Sequence, residues 1–174
     1  VDALDPHHGL GAARQLHGKE MSYNNYVDTD AALGMVADFA DPCVAIIKHT
    51  NPAGLAIAES LEDAYVKALA GDPVSAFGGI VAANRPIDGD TALRISDVFT
   101  EVVIAPGYDD DALDVLTGKA NLRILQVDEV GAPDAVRTLR SIDGMMLVQD
   151  GDVGGEPFDD WTVVSAAQPD DATM

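Results

Sequence analysis

The feature that most constrains the fold is an alternation of helical and strand patterns between Asp28 and Val127. A continuous apolar run, Cys43–Ile47, is typical of a strand that is buried on both faces. Helices and strands then alternate at short spacing, which favours an α/β layer with a largely parallel sheet. The predicted helices are Thr29–Phe39 (capped by Asp28 or Thr29), a helix capped by Ser60 that runs to Ala70, Gly89–Val98 and Asp109–Leu116, and the further predicted strands are Ile80–Ala83, Glu101–Ala105 and Leu122–Val127.

This rhythm is absent from both ends of the chain. Residues 1–14 form a lead-in rich in Gly, His and Ala, with no clear period. Residues 131–174 form an extension of Gly- and Asp-rich loops, in which Met145–Val148 and Trp161–Val164 are possible strands. The predicted organisation is therefore a lead-in, one α/β unit over residues 15–130, and a strand-and-loop extension over residues 131–174.

The charge of the chain limits its partners. Thirty acidic residues face ten basic ones, and the net charge of −20 repels both nucleic acid and anionic membranes. No apolar run approaches the roughly 20 residues of a membrane span, and the N-terminal residues do not resemble a secretory signal. We therefore expect a cytoplasmic protein that binds neither nucleic acid nor membrane. The acidic excess predicts a salt-adapted (halophilic) organism, and the alternative is an acidic surface that serves solubility alone.

A metal site is not expected. Cys43 is the only cysteine, which excludes an intramolecular disulfide and argues against cysteine-based zinc binding. His7 and His8 have no further His or Cys at ligand spacing, so we interpret them as an exposed pair in the lead-in.

Lys48 and His49 are the first candidates for chemistry. They follow the buried run directly and open a loop containing Asn-Pro-x-Gly. Ligands of open α/β sheets bind beyond the carboxyl ends of strands, and the pair combines a cation with a side chain that exchanges protons near neutral pH. We therefore predict that Lys48, His49, Asn51 and Phe77 line one cleft at the carboxyl edge of the sheet. Taken alone, the pair also fits a solvated strand end followed by an ordinary loop histidine.

Two other segments carry suitable residues. In Ser75–Gly79, glycines permit a close backbone approach, and Phe77 offers a face for a flat heterocycle. In Gln15–Asn25, asparagine amides could read the edge of a base or carboxamide. Each segment also has a purely structural explanation. Ser75–Gly79 could be a tight loop with Phe77 in the core, and Gln15–Asn25 could be the lead-in to a helix.

Four segments in register resemble the aminoimidazole carboxamide ribonucleotide (AICAR) transformylase family. They are Gln15–Asn25, Lys48–Gly54, Asp72–Gly79 and Ile104–Leu113, of which Lys-His-x-Asn-Pro-x-Gly is the most unusual. The resemblance runs from Gln15 to Val127 and more weakly to Val164. It implies a cytidine-deaminase-like layered fold, with this chain as the first half of the transformylase domain. The deaminase zinc signature is absent, so deamination is not supported.

The resemblance also implies a reaction, the transfer of a formyl group from 10-formyltetrahydrofolate to the 5-amino group of AICAR. His49 would be the proton shuttle, and Lys48 would stabilise negative charge and help position the formyl donor. Asn25 would bind the nucleotide, and Phe77 and Gly78 would contact the base and its carboxamide. By the same match Asn51 and Ser75 are substrate-binding residues, and no metal is needed.

The chain departs from the family pattern in three respects. Asp5-Pro6-His7-His8 lacks the arginine that holds the substrate phosphate, and neither the second deaminase-like unit nor the cyclohydrolase domain is present. Either the chain is a fragment or a split-gene product, or partner chains carrying the second half complete it. The dimeric active sites of the family imply a homodimer. The alternatives are a noncatalytic nucleotide-binding or assembly subunit, and an unrelated α/β binding domain.

Overall fold

A computed structural model describes residues 9–131, 137–151 and 162–170 of the chain. The chain divides into two compact units, Val1–Ala132 and Pro133–Met174. In the first unit a short 3-10 helix, Gly9–Ala12, precedes the regular elements. The strands of this unit are β1 (Arg14–His17), β2 (Cys43–Lys48), β3 (Asn51–Ile57), β4 (Gly79–Ala83), β5 (Thr100–Ala105) and β6 (Arg123–Gln126), and its helices are α1 (Tyr23–Ala37), α2 (Leu61–Gly71), α3 (Gly89–Ser96) and α4 (Asp110–Thr117).

The six strands form one sheet in the order β1-β6-β5-β4-β2-β3. Strands β4, β5 and β6 are parallel neighbours, whereas β2 is antiparallel to both β4 and β3, and β1 is antiparallel to β6. Strands β3 to β6 therefore all point in one direction, and β1 and β2 point in the other. The predicted α/β fold, with helices flanking a mostly parallel sheet, is confirmed.

Alternate residues of the central strands face two separate cores, because successive side chains of a strand point to opposite faces. Ala32 and Val36 of α1 pack on one face, with Ile80 and Ala82 of β4. Helices α2, α3 and α4 pack on the other face, where Tyr65 is buried with Val81 of β4. The predicted two-sided burial of Cys43–Ile47 is confirmed, since all five residues are at most 2% exposed.

Strand β3 is absent from the prediction, which treated the residues after Lys48 as a loop. Pro52 and Gly54 are unfavourable in most strands, but β3 lies at the edge of the sheet, where proline is tolerated. Gly54 is also required by packing, because a Cβ atom there would lie 1.8 Å from the carbonyl oxygen of Ala68 on α2. Residues that read as a loop therefore allow a helix to approach an edge strand closely.

Helix α1 begins six residues before the predicted start at Thr29. Ser22 is the N-cap, and its side chain accepts a hydrogen bond from the Asn25 backbone N–H while Asn25 Oδ1 accepts from the Ser22 N–H. This capping box has Asn in place of the usual Glu or Gln, which hid it from the sequence pattern. Asp28 and Thr29 are therefore helical residues, and the prediction that either caps the helix is wrong.

The other predicted helices and strands of the first unit are confirmed with ends within two residues, including the Ser60 cap of α2. Strand β1 was not predicted, because Gln15–His17 were interpreted as part of a binding segment or as a helix lead-in. Among the described residues no helix is long and apolar enough to cross a membrane.

The second unit contains an antiparallel pair, β7 (Arg137–Ile142) and β8 (Met145–Asp150). Strand β8 confirms the prediction at Met145–Val148, whereas β7 was not predicted. Every residue of the pair is exposed, including Leu139 and Met146. Of the predicted strand Trp161–Val164, Trp161 lies outside the described residues, and residues 162–164 form no regular structure, so the strand is wrong there.

Candidate functional site

The loops that carry the candidate residues meet where the strands of the sheet begin or end, and not along an edge strand. We call this end of the sheet the amino edge, because β4, β5 and β6 begin there. The reversed strands β1 and β2 end at this same edge, as the pairs His17–Ile124 and Ile47–Ile80 show. The predicted location of Lys48 and His49, at the carboxyl edge, is therefore wrong. They follow the carboxyl end of their own strand, but β2 runs opposite to its neighbour β4.

Lys48 and Phe77 are in direct contact at the amino edge. The Lys48 ammonium group donates a 2.7 Å hydrogen bond to the Phe77 carbonyl oxygen, across 29 residues of sequence. An ammonium group has three N–H donors, so this bond orients the Lys48 side chain and leaves further donors for a ligand. Lys48 is half-buried, whereas His49 beside it is exposed.

An aromatic pair flanks this lysine. The rings of Phe77 and Phe99 lie 5.2 Å apart between centroids at 46°, and they are 59% and 50% exposed. Gly78 between them has a φ of 75°, a left-handed conformation that glycine adopts at little cost, and its N–H donates to the Phe99 carbonyl oxygen at 2.7 Å. Phe77 is therefore not a core residue, and the aromatic faces are open to a flat ligand.

An open pocket of about 450 Å³ adjoins the pair on the Phe99 side. It is formed by the chain segments that end α3 and α4 and begin β5 and β6. Polar groups among its lining residues include Asp97, Thr100, Lys119 and Asn121. A pocket with both an aromatic wall and polar groups is a general form of small-molecule site.

His49 occupies a tight turn between β2 and β3. Lys48 pairs with Asn51, and the two residues between them, His49 and Thr50, have φ values of 55° and 62°. Positive φ at both central positions is the geometry of a type I′ hairpin turn, which normally carries Asn-Gly. A β-branched residue such as Thr50 is a rare exception in this region, and such strain is concentrated at functional sites.

Three predicted binding residues have partners within the protein. Asn51 Nδ2 donates to the His49 carbonyl oxygen at 2.8 Å, so this side chain closes the turn. Ser75 Oγ donates to Asp72 Oδ2 at 2.5 Å, and Asn25 Oδ1 accepts from Ser22 in the capping box. These bonds shape a turn, a loop and a helix cap, so they do not require a ligand. Binding roles for Asn25, Asn51 and Ser75 stay predictions.

Hydrogen bonds to the Asp72 carboxylate shape the loop that carries Phe77. The Ser75 hydroxyl, the Ser75 N–H and the Val74 N–H all donate to it, and these bonds lower the pKa of Asp72, the hydroxyl contributing most. A carboxylate that accepts several bonds in this way fixes the loop between α2 and β4.

Cations gather at the amino edge of a very acidic chain. Four of its ten basic residues, Lys19, Lys48, Lys119 and Arg123, lie in the segments that end β1 and β2 or precede and begin β6. Arg123 pairs with Glu101 at 2.6 Å and donates to the Glu20 carbonyl oxygen. Arg123 is thus neutralised by its partner, and Lys19, Lys48 and Lys119 are the cations of this edge that could attract an anionic ligand.

The fourth sequence segment, Ile104–Leu113, lies at the opposite edge, where β5 ends. The Tyr108 hydroxyl donates to the Leu125 carbonyl oxygen at 2.7 Å, and the Val103 carbonyl oxygen lies 3.1 Å from it. Burial raises the pKa of Tyr108 well above its usual range. The three other segments share an edge, and this one supports the fold.

Two residues of the candidate site were not identified from the sequence. Phe99 lay between the predicted helix Gly89–Val98 and the strand that follows it, yet its ring packs on Phe77. Asp28 was interpreted as a possible cap of the helix Thr29–Phe39, yet it accepts a hydrogen bond from Thr50 in the strained turn. Neither position carries a local signal, because both depend on contacts between distant segments.

Metal binding has no support within the described residues, which hold no group of three His, Cys, Asp or Glu placed to bind a metal ion. His7 and His8 lie outside the described residues. Cys43 is buried, and desolvation raises the pKa of its thiol to about 11.

Comparison with known proteins identifies the same family over nearly the whole chain. Residues 2–174 match the family model described as the AICARFT/IMPCHase bienzyme. Three similar curated proteins, each named bifunctional purine biosynthesis protein PurH, come from Rhodospirillum rubrum, Cutibacterium acnes and Ruegeria pomeroyi. They are 54%, 48% and 49% identical over 162, 170 and 172 residues, which cover 92%, 95% and 95% of this chain.

The same alignments cover only 31%, 32% and 32% of these relatives, so the chain spans about one third of their length. The family match includes the segments that form the amino edge and Ile104–Leu113 at the opposite edge, which excludes an unrelated α/β binding domain. The chain belongs to the AICARFT/IMPCHase bienzyme family.

Proposed function

We propose that this chain forms part of a purine-biosynthesis enzyme that transfers a formyl group from 10-formyltetrahydrofolate to the 5-amino group of AICAR. The products are formyl-AICAR and tetrahydrofolate. The observation that carries the proposal is the hydrogen bond from Lys48 to the Phe77 carbonyl oxygen, which joins two family segments at the amino edge beside His49. The names of the similar proteins support a role in purine biosynthesis.

The chemistry of the substrate defines what the residues must do. The 5-amino group of AICAR is a poor nucleophile, because its lone pair is delocalised into the imidazole and carboxamide. The amine must lose a proton as it attacks, and negative charge develops on the formyl oxygen. In our proposal neutral His49 accepts the proton as the amine bonds to the formyl carbon, and the Lys48 ammonium group stabilises the charge on the formyl oxygen. The tetrahedral intermediate then collapses with cleavage of the bond between the formyl carbon and N10 of the folate, and the protonated His49 returns its proton to N10, which leaves as tetrahydrofolate.

The remaining features of the edge suit the two ligands. Phe77 and Gly78 offer an aromatic face and a close backbone approach for the base and its carboxamide, and Asn25, Asn51 and Ser75 are proposed to contact the nucleotide. Both AICAR and the folate are anionic, which agrees with the cations at this edge. No metal enters the mechanism, since acid–base and electrostatic catalysis supply its steps.

Because the chain spans one third of the similar proteins, other parts of the enzyme complete the site. We propose that a second copy in a homodimer, the second transformylase half, or both supply the missing nucleotide and folate contacts. The location that follows from this biosynthetic role is the cytoplasm.

The test is formyl transfer by the whole enzyme that carries this segment, with His49→Ala and Lys48→Ala. Single-turnover rates report the chemical step, and calorimetry reports AICAR affinity. The His49 variant should lose about 10²–10⁴-fold in rate with a much smaller loss of affinity, because a base acts mainly in the transition state. Lys48→Ala should lower the rate and also weaken folate binding. Lys67→Ala, on the exposed face of α2, is the charge-matched control.

The same assay distinguishes the alternative, a noncatalytic nucleotide-binding or assembly subunit. That alternative predicts AICAR binding without turnover in the unmodified enzyme. Near-normal turnover of His49→Ala would remove this residue from the mechanism, and loss of affinity at an unchanged rate would make it a binding residue.

A further inference from the structure

The turn that presents His49 is held in a conformation its residues disfavour. His49 and Thr50 both have positive φ, at 55° and 62°, where side chains crowd the backbone. Neither is glycine, and Thr50 branches at Cβ, so the isolated hairpin would relax to another turn. Strained residues persist only when the surrounding structure determines them more strongly.

Two hydrogen bonds within the turn stabilise it locally. Thr50 Oγ1 and Asn51 Nδ2 both donate to the His49 carbonyl oxygen, at 2.7 and 2.8 Å. These bonds join neighbouring residues and would move with the turn. They do not fix its position relative to Lys48 or Phe77.

One further bond ties the turn to a distant element. The Thr50 N–H donates to Asp28 Oδ1 at 2.8 Å, across 22 residues of sequence. Asp28 lies in α1, which packs on β2 and β4, so its carboxylate is carried by a rigid part of the fold. A bond to an ionised acceptor is stronger than one between neutral groups.

We propose that Asp28 is a positioning residue, whose carboxylate holds the His49–Thr50 turn in its left-handed conformation and thereby sets His49 beside Lys48. The proposal rests on the proposed function, in which His49 accepts the proton. Lys48 is fixed independently through Phe77, so loss of Asp28 would displace one member of the pair relative to the other. Misplacement by about 1 Å can cost about 100-fold in rate.

The experiment compares four variants of the whole enzyme. Asp28→Ala removes the acceptor, and Asp28→Asn keeps an acceptor oxygen of similar geometry. Asp28→Ala combined with Thr50→Gly removes the acceptor but also the strain, because glycine adopts positive φ readily. Asp38→Ala, an exposed carboxylate at the other end of α1, is the charge-matched control.

Two readouts are needed. Backbone chemical shifts and three-bond couplings of selectively labelled His49, and of whichever residue occupies position 50, report the φ angles of the turn. Steady-state formyl transfer reports kcat and the KM for AICAR. We expect Asp28→Ala to lose the positive-φ signals and about 10–100-fold in kcat, with KM changed less than about 3-fold. Asp28→Asn should retain most activity, and Thr50→Gly should restore much of what Asp28→Ala loses.

The inference is overturned if Asp28→Ala keeps the turn signals, whatever its rate, or if it loses them while kcat is unchanged. It is also overturned if Asp38→Ala lowers kcat equally, or if Thr50→Gly restores the turn signals without restoring the rate. These outcomes differ from failure of the proposed function, which is a His49→Ala enzyme of near-normal turnover. In that case the turn signals still report whether Asp28 holds the hairpin.

Discussion

The two edges of the central sheet hold equally conspicuous sequence segments but differ in how their polar groups are used. At the edge where β4 and β5 end, Asn84 Oδ1 accepts from the Cys43 N–H, and its Nδ2 donates to the carbonyl oxygens of Phe39 and Asp41, each at 2.8 Å. Tyr108 is partly buried, and its hydroxyl is bonded to a backbone carbonyl in the same manner. At the amino edge, His49 is exposed and strained, and both phenylalanine rings are half open.

We interpret the edge of Asn84 and Tyr108 as one that stabilises the fold, and the amino edge as the one that is open to a ligand. Side chains whose polar groups are all hydrogen-bonded stabilise the fold. Strained backbone and exposed aromatic rings, in contrast, are features typical of ligand-binding sites. In open α/β sheets the ligand edge is normally the carboxyl edge. Here the reversed strands β1 and β2 bring their own carboxyl ends, with their loops, to the amino edge.

The largest expected effect is the loss of folding stability when Asn84, at the edge where β4 ends, is replaced. Asn84→Ala leaves a buried N–H and two carbonyl oxygens without their partner, and we expect a loss of roughly 2–4 kcal/mol in the free energy of unfolding. Asn121→Ala, at an exposed position of the amino edge, should cost less than about 0.5 kcal/mol. Urea unfolding of both variants measures the difference, and equal losses would break the comparison.

Salt should act with opposite sign on stability and on ligand binding. The net charge of −20 makes the folded chain repel itself, and molar potassium chloride shortens the Debye length to about 3 Å. We therefore expect the Tm to rise by a few degrees while affinity for the anionic ligands proposed for the amino edge falls. Calorimetry at low and molar salt tests both, and a Tm that falls with salt would contradict the salt-adapted interpretation.

The smallest expected effect concerns the loop that carries Phe77. Hydrogen bonds from Ser75 lower the folded-state pKa of Asp72, so they contribute stability above the ordinary carboxyl pKa of 3.8, and this is lost as pH falls through the lowered value. Ser75→Ala should raise the pKa of Asp72 toward 3.8. Carboxyl NMR titration measures the shift, with Ser96→Ala as a control that leaves Asp72 untouched. An unchanged Asp72 titration in Ser75→Ala would show that the hydroxyl does not hold the loop.

The sequence by itself determined most of the regular elements and the family. Apolar runs such as Cys43–Ile47 and caps such as Ser60 depend only on neighbouring residues, so they can be predicted from the spacing of residues in the sequence. Element ends were missed where an unusual residue filled a common role, as with Asn25 in the capping box of α1. Strand β3 was missed because its edge position, and not its composition, permits Pro52.

Only the tertiary structure decided at which edge of the sheet the candidate residues meet. Strand direction depends on pairing between distant segments, and the apolar run of β2 would look the same parallel or antiparallel to β4. The contacts of Lys48 with Phe77, Phe77 with Phe99 and Asp28 with Thr50 depend on that direction. Reversing a strand exchanges the edges at which its two ends lie, and no local pattern records that choice.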